Sequence, residues 1–175
     1  PLLIGKRGAR IRTRRLPLHV LRAVLAYLGM IGLLYGLLRI PVADVVALSF
    51  TQPLFITVLA AALLGEAVGT ARWRATLIGF VGVLVVIRPG FAEIGAATAA
   101  VLASAAFYAA SNICIKRLMT TDTPIQSTLY VNVLMLPLSL VPALLFWTTP
   151  GGWDLLALLG VGLAGTGGVY LVSRA

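Results

Sequence analysis

The chain has 175 residues, of which 60% are hydrophobic and 11% charged, with a formal net charge of +9. Soluble domains are about half apolar and about a quarter charged, so a water-soluble globule of this composition is excluded and lipid is the natural solvent. In such a chain an excess of positive charge reads as basic cytoplasmic loops rather than a nucleic-acid surface, and the single Cys114 excludes a disulfide framework or a multi-cysteine metal site within these residues.

Residues 1–4 are apolar and read as the tail of a segment whose body is missing, so the chain is expected to be a piece of a longer protein. No cleavable signal peptide is recognisable, because the basic stretch follows apolar residues and no further apolar region and cleavage site follow it. Between Lys6 and Arg15, six of ten residues are basic. They could grip phosphates, but nothing nearby supplies a recognition helix or an aromatic platform, and an apolar segment follows at once. A topology-setting loop that touches anionic lipid is the preferred reading, with no nucleic acid as partner.

Six apolar segments follow, and a crossing needs about 20 apolar residues. Residues 20–38 carry Gly29, Gly32 and Gly36, a smooth strip for close helix packing. Tyr27 and Tyr35 fall on a different face and are candidates to line a cavity. Arg22 sits in the first turn and can snorkel to the cytoplasm, and His19 beside it reads as an interfacial residue. Residues 42–64 form the second segment. Asp44 near its start favours the helix dipole. Inside it, Pro53 has no N–H and removes the helical partner of the Ser49 carbonyl, predicting a kink beside Gln52. That places Ser49 and Gln52 as candidate solute contacts, with a purely structural kink as the alternative.

Residues 75–87 are the third segment, only 13 long. The acidic Glu66 before it is expected to pair with Arg72 or Arg74 or to cap the loop, rather than to carry protons. Residues 94–115 are the fourth. There Ser104, Tyr108, Ser111 and Asn112 recur at i, i+4, i+7 and i+8, within about 100° of one helix face. Ala99, Ala103, Ala106 and Ala110 occupy the other side. The polar face reads either as a cavity wall or as interhelical hydrogen bonding, and the alanine face as the packing surface. Residues 128–147 follow, with Tyr130, Asn132 and a second internal proline, Pro137. Residues 155–172 close the series, with Thr166 and Tyr170 sharing a face.

Charge tests the weak third segment. If all six segments cross, 12 of the 14 basic residues fall on one side, leaving only Arg39 and Arg88 on the other. Without the third crossing the separation is poorer. The positive-inside rule favours six crossings, with Lys6–Arg15, the 65–74 loop and Lys116–Arg117 in the cytoplasm. No acid lies mid-membrane, so proton coupling has no obvious carrier among these segments.

Residues 39–90 contain Pro41-Val-Ala-Asp44 opening a helix, Pro53 within it, Gly65-Glu66 closing it, and a short segment running from Gly82 into Arg88-Pro89-Gly90. These features, in this order and spacing, resemble the EamA domain of the drug/metabolite transporter superfamily. The remaining segments fit the same pattern continuously, corresponding to about helices three to eight of ten. The resemblance implies an all-α integral membrane protein, part of a ten-helix bundle of two inverted five-helix repeats. Residues 1–90 would belong to the first repeat and 91–175 to the second. It further implies a multi-pass inner-membrane transporter of a small organic metabolite or drug working by alternating access. It implies no cofactor and admits a homodimer.

On this basis the candidate substrate-binding residues are Gln52, Ser49, Tyr108, Ser111, Asn112, Asn132 and Tyr27. A membrane-embedded enzyme or an assembly protein is the alternative. The sequence shows no Ser/His/Asp set, paired carboxylate or His-rich cluster to support catalysis.

Overall fold

The computed structural model describes residues 13–87, 95–147, 149 and 151–172. Expectations for Lys6 to Arg12, for Arg88, for Arg174 and for the side chains of Thr166 and Tyr170 lie outside the described residues. So does the expected repeat boundary at 90/91.

Among the described residues seven helices follow one another: α1 (Leu16–Leu37), α2 (Val42–Ser49), α3 (Gln52–Leu64), α4 (Thr70–Ile87), α5 (Ala96–Leu118), α6 (Pro124–Leu145) and α7 (Gly152–Val172). α1 starts with a proline in its first turn, where a missing N–H costs nothing. Pro41 precedes α2, and Asp44 lies in the first turn of α2 as the dipole argument requires. α2 and α3 together form one membrane-length segment, Val42–Leu64, broken at Phe50–Thr51 as Pro53 predicts. α3 ends at Gly65 in the left-handed conformation, φ 64°, and the Glu66 N–H returns to the Ala60 carbonyl at 3.4 Å. A glycine takes that conformation without a Cβ penalty.

Several predicted starts are corrected: α1 begins at Leu16 rather than residue 20, α5 at Ala96 rather than residue 94 and α7 at Gly152 rather than residue 155. α4 begins at Thr70 rather than residue 75 and takes in Arg72 and Arg74, giving 18 residues. At 1.5 Å per residue that is about 27 Å, close to the hydrocarbon thickness. α6 begins at Pro124 rather than residue 128. Thr123 and Gln126 form a reciprocal cap: the Thr123 N–H donates to Gln126 Oε1 at 2.8 Å, and the Gln126 N–H donates to Thr123 Oγ1 at 3.3 Å. That capping box is written in the sequence as Thr123-Pro-Ile-Gln126. Pro137 does not break α6, which continues through it to Leu145.

The molecule divides into two units, Pro1–Ser139 and Leu140–Ala175. In the first, the core lies where α1, α2, α4 and α5 meet, around Val45, Leu48, Val83 and Val101. The main seam joins α1 to α5. A Cβ added at Gly29 would stand 3.1 Å from the Tyr108 ring, and one at Gly32 would stand 2.8 Å from the Ala100 carbonyl oxygen. A Cβ at Gly36 would overlap Val101. The glycine strip is therefore a packing surface, as read. Its partner is the opposite face of α5 from the one expected: Val101, Ser104 and Ser111 are buried against α1, whereas Ala99 and Ala103 are exposed. The physical reason is size. A backbone laid along glycines is close enough for a tyrosine ring and serine hydroxyls to reach it.

The seam also tests the crossing count. Gly36 opposes Val101, Gly29 opposes Tyr108, and Arg15 reaches the Arg117 carbonyl; the two helices are antiparallel. With α4 counted as a crossing, α1 and α5 traverse in opposite directions. Without α4 they would be parallel. The antiparallel seam thus agrees with α4 as a crossing.

Among the described residues four segments are long and apolar enough to cross a membrane by length and composition: Leu16–Leu37, Val42–Leu64, Ala96–Leu118 and Pro124–Leu145. Large apolar side chains on α4 and α6, among them Ile78, Val81, Leu136 and Leu140, stand exposed. Such a surface calls for lipid. In the second unit, α7 starts with Asp154 in its first turn, and the Gly151 N–H donates to Asp154 Oδ2 at 2.9 Å.

Candidate functional site

The break between α2 and α3 opens a groove of about 590 Å³ toward α1. Leu33, Leu37, Val46, Phe50 and Ile56 give it apolar walls, and Ser49, Gln52 and Pro53 lie at the break itself. Local hydroxyls stabilise the break. Ser49 Oγ donates to the Val45 carbonyl at 2.8 Å, Thr51 Oγ1 to the Leu48 carbonyl at 2.7 Å, and Thr57 Oγ1 to the Pro53 carbonyl at 2.8 Å. Ser49 spends its proton on its own helix and keeps only acceptor capacity, so Gln52 is the side-chain N–H donor among the groove's lining residues. Its amide, half-buried, can donate twice and accept at its oxygen.

The structure does not bring the other predicted residues to this groove. Ser111 Oγ donates to the Arg22 carbonyl at 3.3 Å, and the Tyr108 ring rests on Gly29; both belong to the α1–α5 seam. Asn112 and Tyr27 are half-buried and Asn132 is exposed on α6, and none of them lines the groove. Of the two candidates Gln52 and Asn112, the groove is lined by Gln52 and not by Asn112. The face that carries Ser104, Tyr108 and Ser111 is turned toward α1.

Residues that sequence reasoning passed over gather at the other end of the seam. His19, taken as interfacial, is fully buried. Its Nε2 lies 2.7 Å from Asp122 Oδ2, and its ring stacks on Tyr130 with centroids 4.6 Å apart. The same carboxylate oxygen accepts from Thr13 Oγ1 at 2.7 Å. Burial pushes the Asp122 carboxyl up, but the hydrogen bonds from Thr13 and His19 and the charge of His19 outweigh it. The carboxyl is held below the usual carboxylate range. Arg22 does not snorkel: its Nη1 donates to Ser127 at both the carbonyl, 2.6 Å, and Oγ, 2.5 Å.

Glu66 is paired with neither Arg72 nor Arg74. It accepts from Lys116 Nζ at 2.5 and 2.6 Å, and Arg117 Nη2 donates to the Leu63 carbonyl at 2.6 Å. The start of α1, the end of α3, the end of α5 and the start of α6 therefore share one end of the bundle. That is the grouping the charge distribution predicts. At the opposite end Arg39 stacks over the Tyr35 ring at 4.3 Å, an arrangement worth about 0.5–1 kcal/mol when exposed.

Comparison with known proteins places this geometry. The chain is 34% identical to a riboflavin transporter of Vibrio cholerae over 87% of its own length and 52% of that protein's. It is 28% identical to an S-adenosylmethionine uptake transporter of Rickettsia prowazekii, over 94% of the chain and 56% of that protein. A pseudopaline exporter of Pseudomonas aeruginosa is 25% identical over 91% of the chain and 58% of its own length. The chain thus spans about half the length of the curated relatives it matches. No solved structure matches. Residues 1–88 match the EamA-like transporter family, and with half the chain so covered the protein belongs to that family.

Proposed function

We propose that this chain is part of a secondary transporter that moves a small organic metabolite across the bacterial inner membrane by alternating access. In this reading residues 1–90 and 91–175 belong to two inverted repeats, a common transporter plan in which broken helices flank a site near the midplane. The observation that carries it is the groove at the α2–α3 break, apolar except for Ser49 and Gln52, in a chain of a transporter family. Riboflavin and S-adenosylmethionine, named for two of the relatives, both carry a flat nitrogen heterocycle. Phe50 and the aliphatic walls suit the face of such a ring, and the Gln52 amide suits its hydrogen-bonding edge. Tyr108 and Ser111 then serve the seam, and Asn112, Asn132 and Tyr27 stand as secondary contacts reached in another conformation.

The test is reconstitution of the full-length protein in liposomes. Saturable movement of radiolabelled riboflavin or S-adenosylmethionine is expected. Gln52→Ala should reduce it about threefold to tenfold, the equivalent of one net hydrogen bond, at unchanged protein abundance. Absence of saturable movement of any heteroaromatic metabolite, or wild-type rates in Gln52→Ala, would overturn the reading.

A further inference from the structure

The start of α6 is attached to α1 in an unusual way. Ser127, in its first turn, is its one buried residue among those described. Among the contacts that reach it from α1 are side-chain hydrogen bonds and a ring stack: Arg22 to Ser127, and His19 on Tyr130. Asp122, in the turn just before α6, adds the link to His19. The Thr13 N–H adds another by donating to the Tyr130 hydroxyl at 3.3 Å. The start of α6 is thus held to α1 by a small polar cluster at the basic end of the bundle.

That cluster is incompletely satisfied. A carboxylate only accepts, so His19 Nε2 must carry the proton it shares with Asp122. His19 Nδ1 and Arg22 Nε, one helical turn apart, are both buried with no hydrogen-bond partner. Buried polar atoms are nearly always paired, and an orphan carries a desolvation cost. Water admitted to this end would satisfy both atoms and replace the His19–Asp122 and Arg22–Ser127 bonds at little enthalpic loss. The glycine seam has no such exchange available. Its contacts are steric, and lipid or water entering between Gly32 and Ala100 would only separate atoms that now touch.

From this contrast we infer that the His19–Asp122–Arg22–Ser127 cluster is a reversible lock closing the basic end between α1 and α6, with the glycine seam as the fixed pivot. The inference rests on the transport reading for its purpose, since alternating access requires an end that opens and closes. Opening exchanges the cluster's bonds for water and swings α6 about the 119–123 turn. His19 and Asp122 are then gating residues that act through helix position. Neither touches the groove.

The lock is tested without substrate, so its failure and that of the transport reading are distinguishable. Ala23 is fully buried and lies one turn beyond His19 on the same helix face. In full-length protein with Cys114→Ala, Ala23→Cys is probed with a membrane-impermeant maleimide in inside-out vesicles, where the basic end faces the reagent. Asp122→Asn and His19→Gln are each expected to speed labelling at least tenfold. The exchange His19→Asp with Asp122→His should restore slow labelling. Ser104→Cys, buried in the seam against Gly32, should stay protected in every variant. Unchanged labelling of Ala23→Cys in both single variants would overturn the lock. So would labelling of Ser104→Cys alongside it, because the cluster would then support the whole fold rather than one end.

Discussion

The two ends of α1 are fastened to their neighbours by different physics. Along the strip of Gly29, Gly32 and Gly36 the helix presents no side chains, and α5 lies against its backbone through Tyr108, Ser104 and Val101. At its start, with Thr13 just before it, the helix offers a hydroxyl, an imidazole and a guanidinium, and meets α5, α6 and the turn before α6 through hydrogen bonds. In lipid, apolar helices gain nothing by hiding from their solvent, so close contact and hydrogen bonding are the means of association. Steric fit holds one spacing only. A hydrogen-bonded contact at the water-facing end can be traded for water and remade. One helix can therefore hold a permanent joint at one end and a releasable one at the other.

The largest expected effect breaks the permanent joint. Gly32→Val places a Cβ 2.8 Å from a backbone oxygen, which cannot rotate away as a side-chain tip could. Overpacking of this kind costs about 1–3 kcal/mol, and the upper end is expected here. Titration with SDS from mild detergent should show the folded fraction lost at markedly lower SDS. Gly82→Ala is the matching control, because nothing stands within 4 Å of its Cβ position. A Gly32→Val protein as resistant as the control would show that the seam tolerates separation.

An intermediate effect probes the releasable joint through acid. The Asp122 carboxyl is held below its ordinary range by Thr13 and His19, against the upward push of burial. A depressed folded-state value stabilises the folded protein above the unfolded carboxylate pKa, about 3.9, and that stability is lost as pH falls through the folded value. The melting temperature of wild type should therefore exceed that of Asp122→Asn by a constant amount from pH 7 to pH 5. The gap should close below about pH 4. A gap that persists in acid would show that Asp122 works through shape rather than charge.

Much of this was legible in the sequence, and the parts that were not share a cause. Apolar runs and basic loops mark crossings and sidedness, because lipid acts on every residue of a segment alike. Pro53 marks the helix break, because its missing N–H is a local fact. The capping box Thr123–Gln126 was equally local and would have moved the start of α6 back to Pro124. Which face of α5 meets α1 is not local. Polar and alanine faces are both plausible packing surfaces, and only the glycines on the partner helix select the tyrosine-bearing one. The pairing of His19 with Asp122 spans 103 residues and leaves no periodic trace. The available hint was their grouping at one end, the sole histidine and an acid in a loop beside Lys116 and Arg117. Glu66 shows the same limit: its nearest basic residues in sequence are Arg72 and Arg74, but the helix ends bring Lys116 to it.

That last pair supplies the smallest effect and the sharpest control on the comparison. Lys116 and Glu66 lie at the same end as the His19 cluster and look stronger on distance, at 2.5 and 2.6 Å. Their side chains are 48% and 36% exposed, against 0% and 7% for His19 and Asp122. An exposed pair gains little in high dielectric, and ordering two long side chains offsets part of it, leaving about 0–1 kcal/mol. Salt screens what remains, since the Debye length falls to about 3 Å at 1 M. Glu66→Gln should therefore shift the unfolding midpoint in non-ionic detergent by less than about 1 kcal/mol at low salt, and by nothing measurable at 1 M. Asp122→Asn, measured beside it, should keep most of its effect at 1 M, because buried charges are screened far less. If both effects vanish together with salt, the two pairs are equally wet and the basic end has no lock distinct from its surface. If Glu66→Gln alone is salt-sensitive, burial rather than distance decides which ion pair at this end holds the helices together.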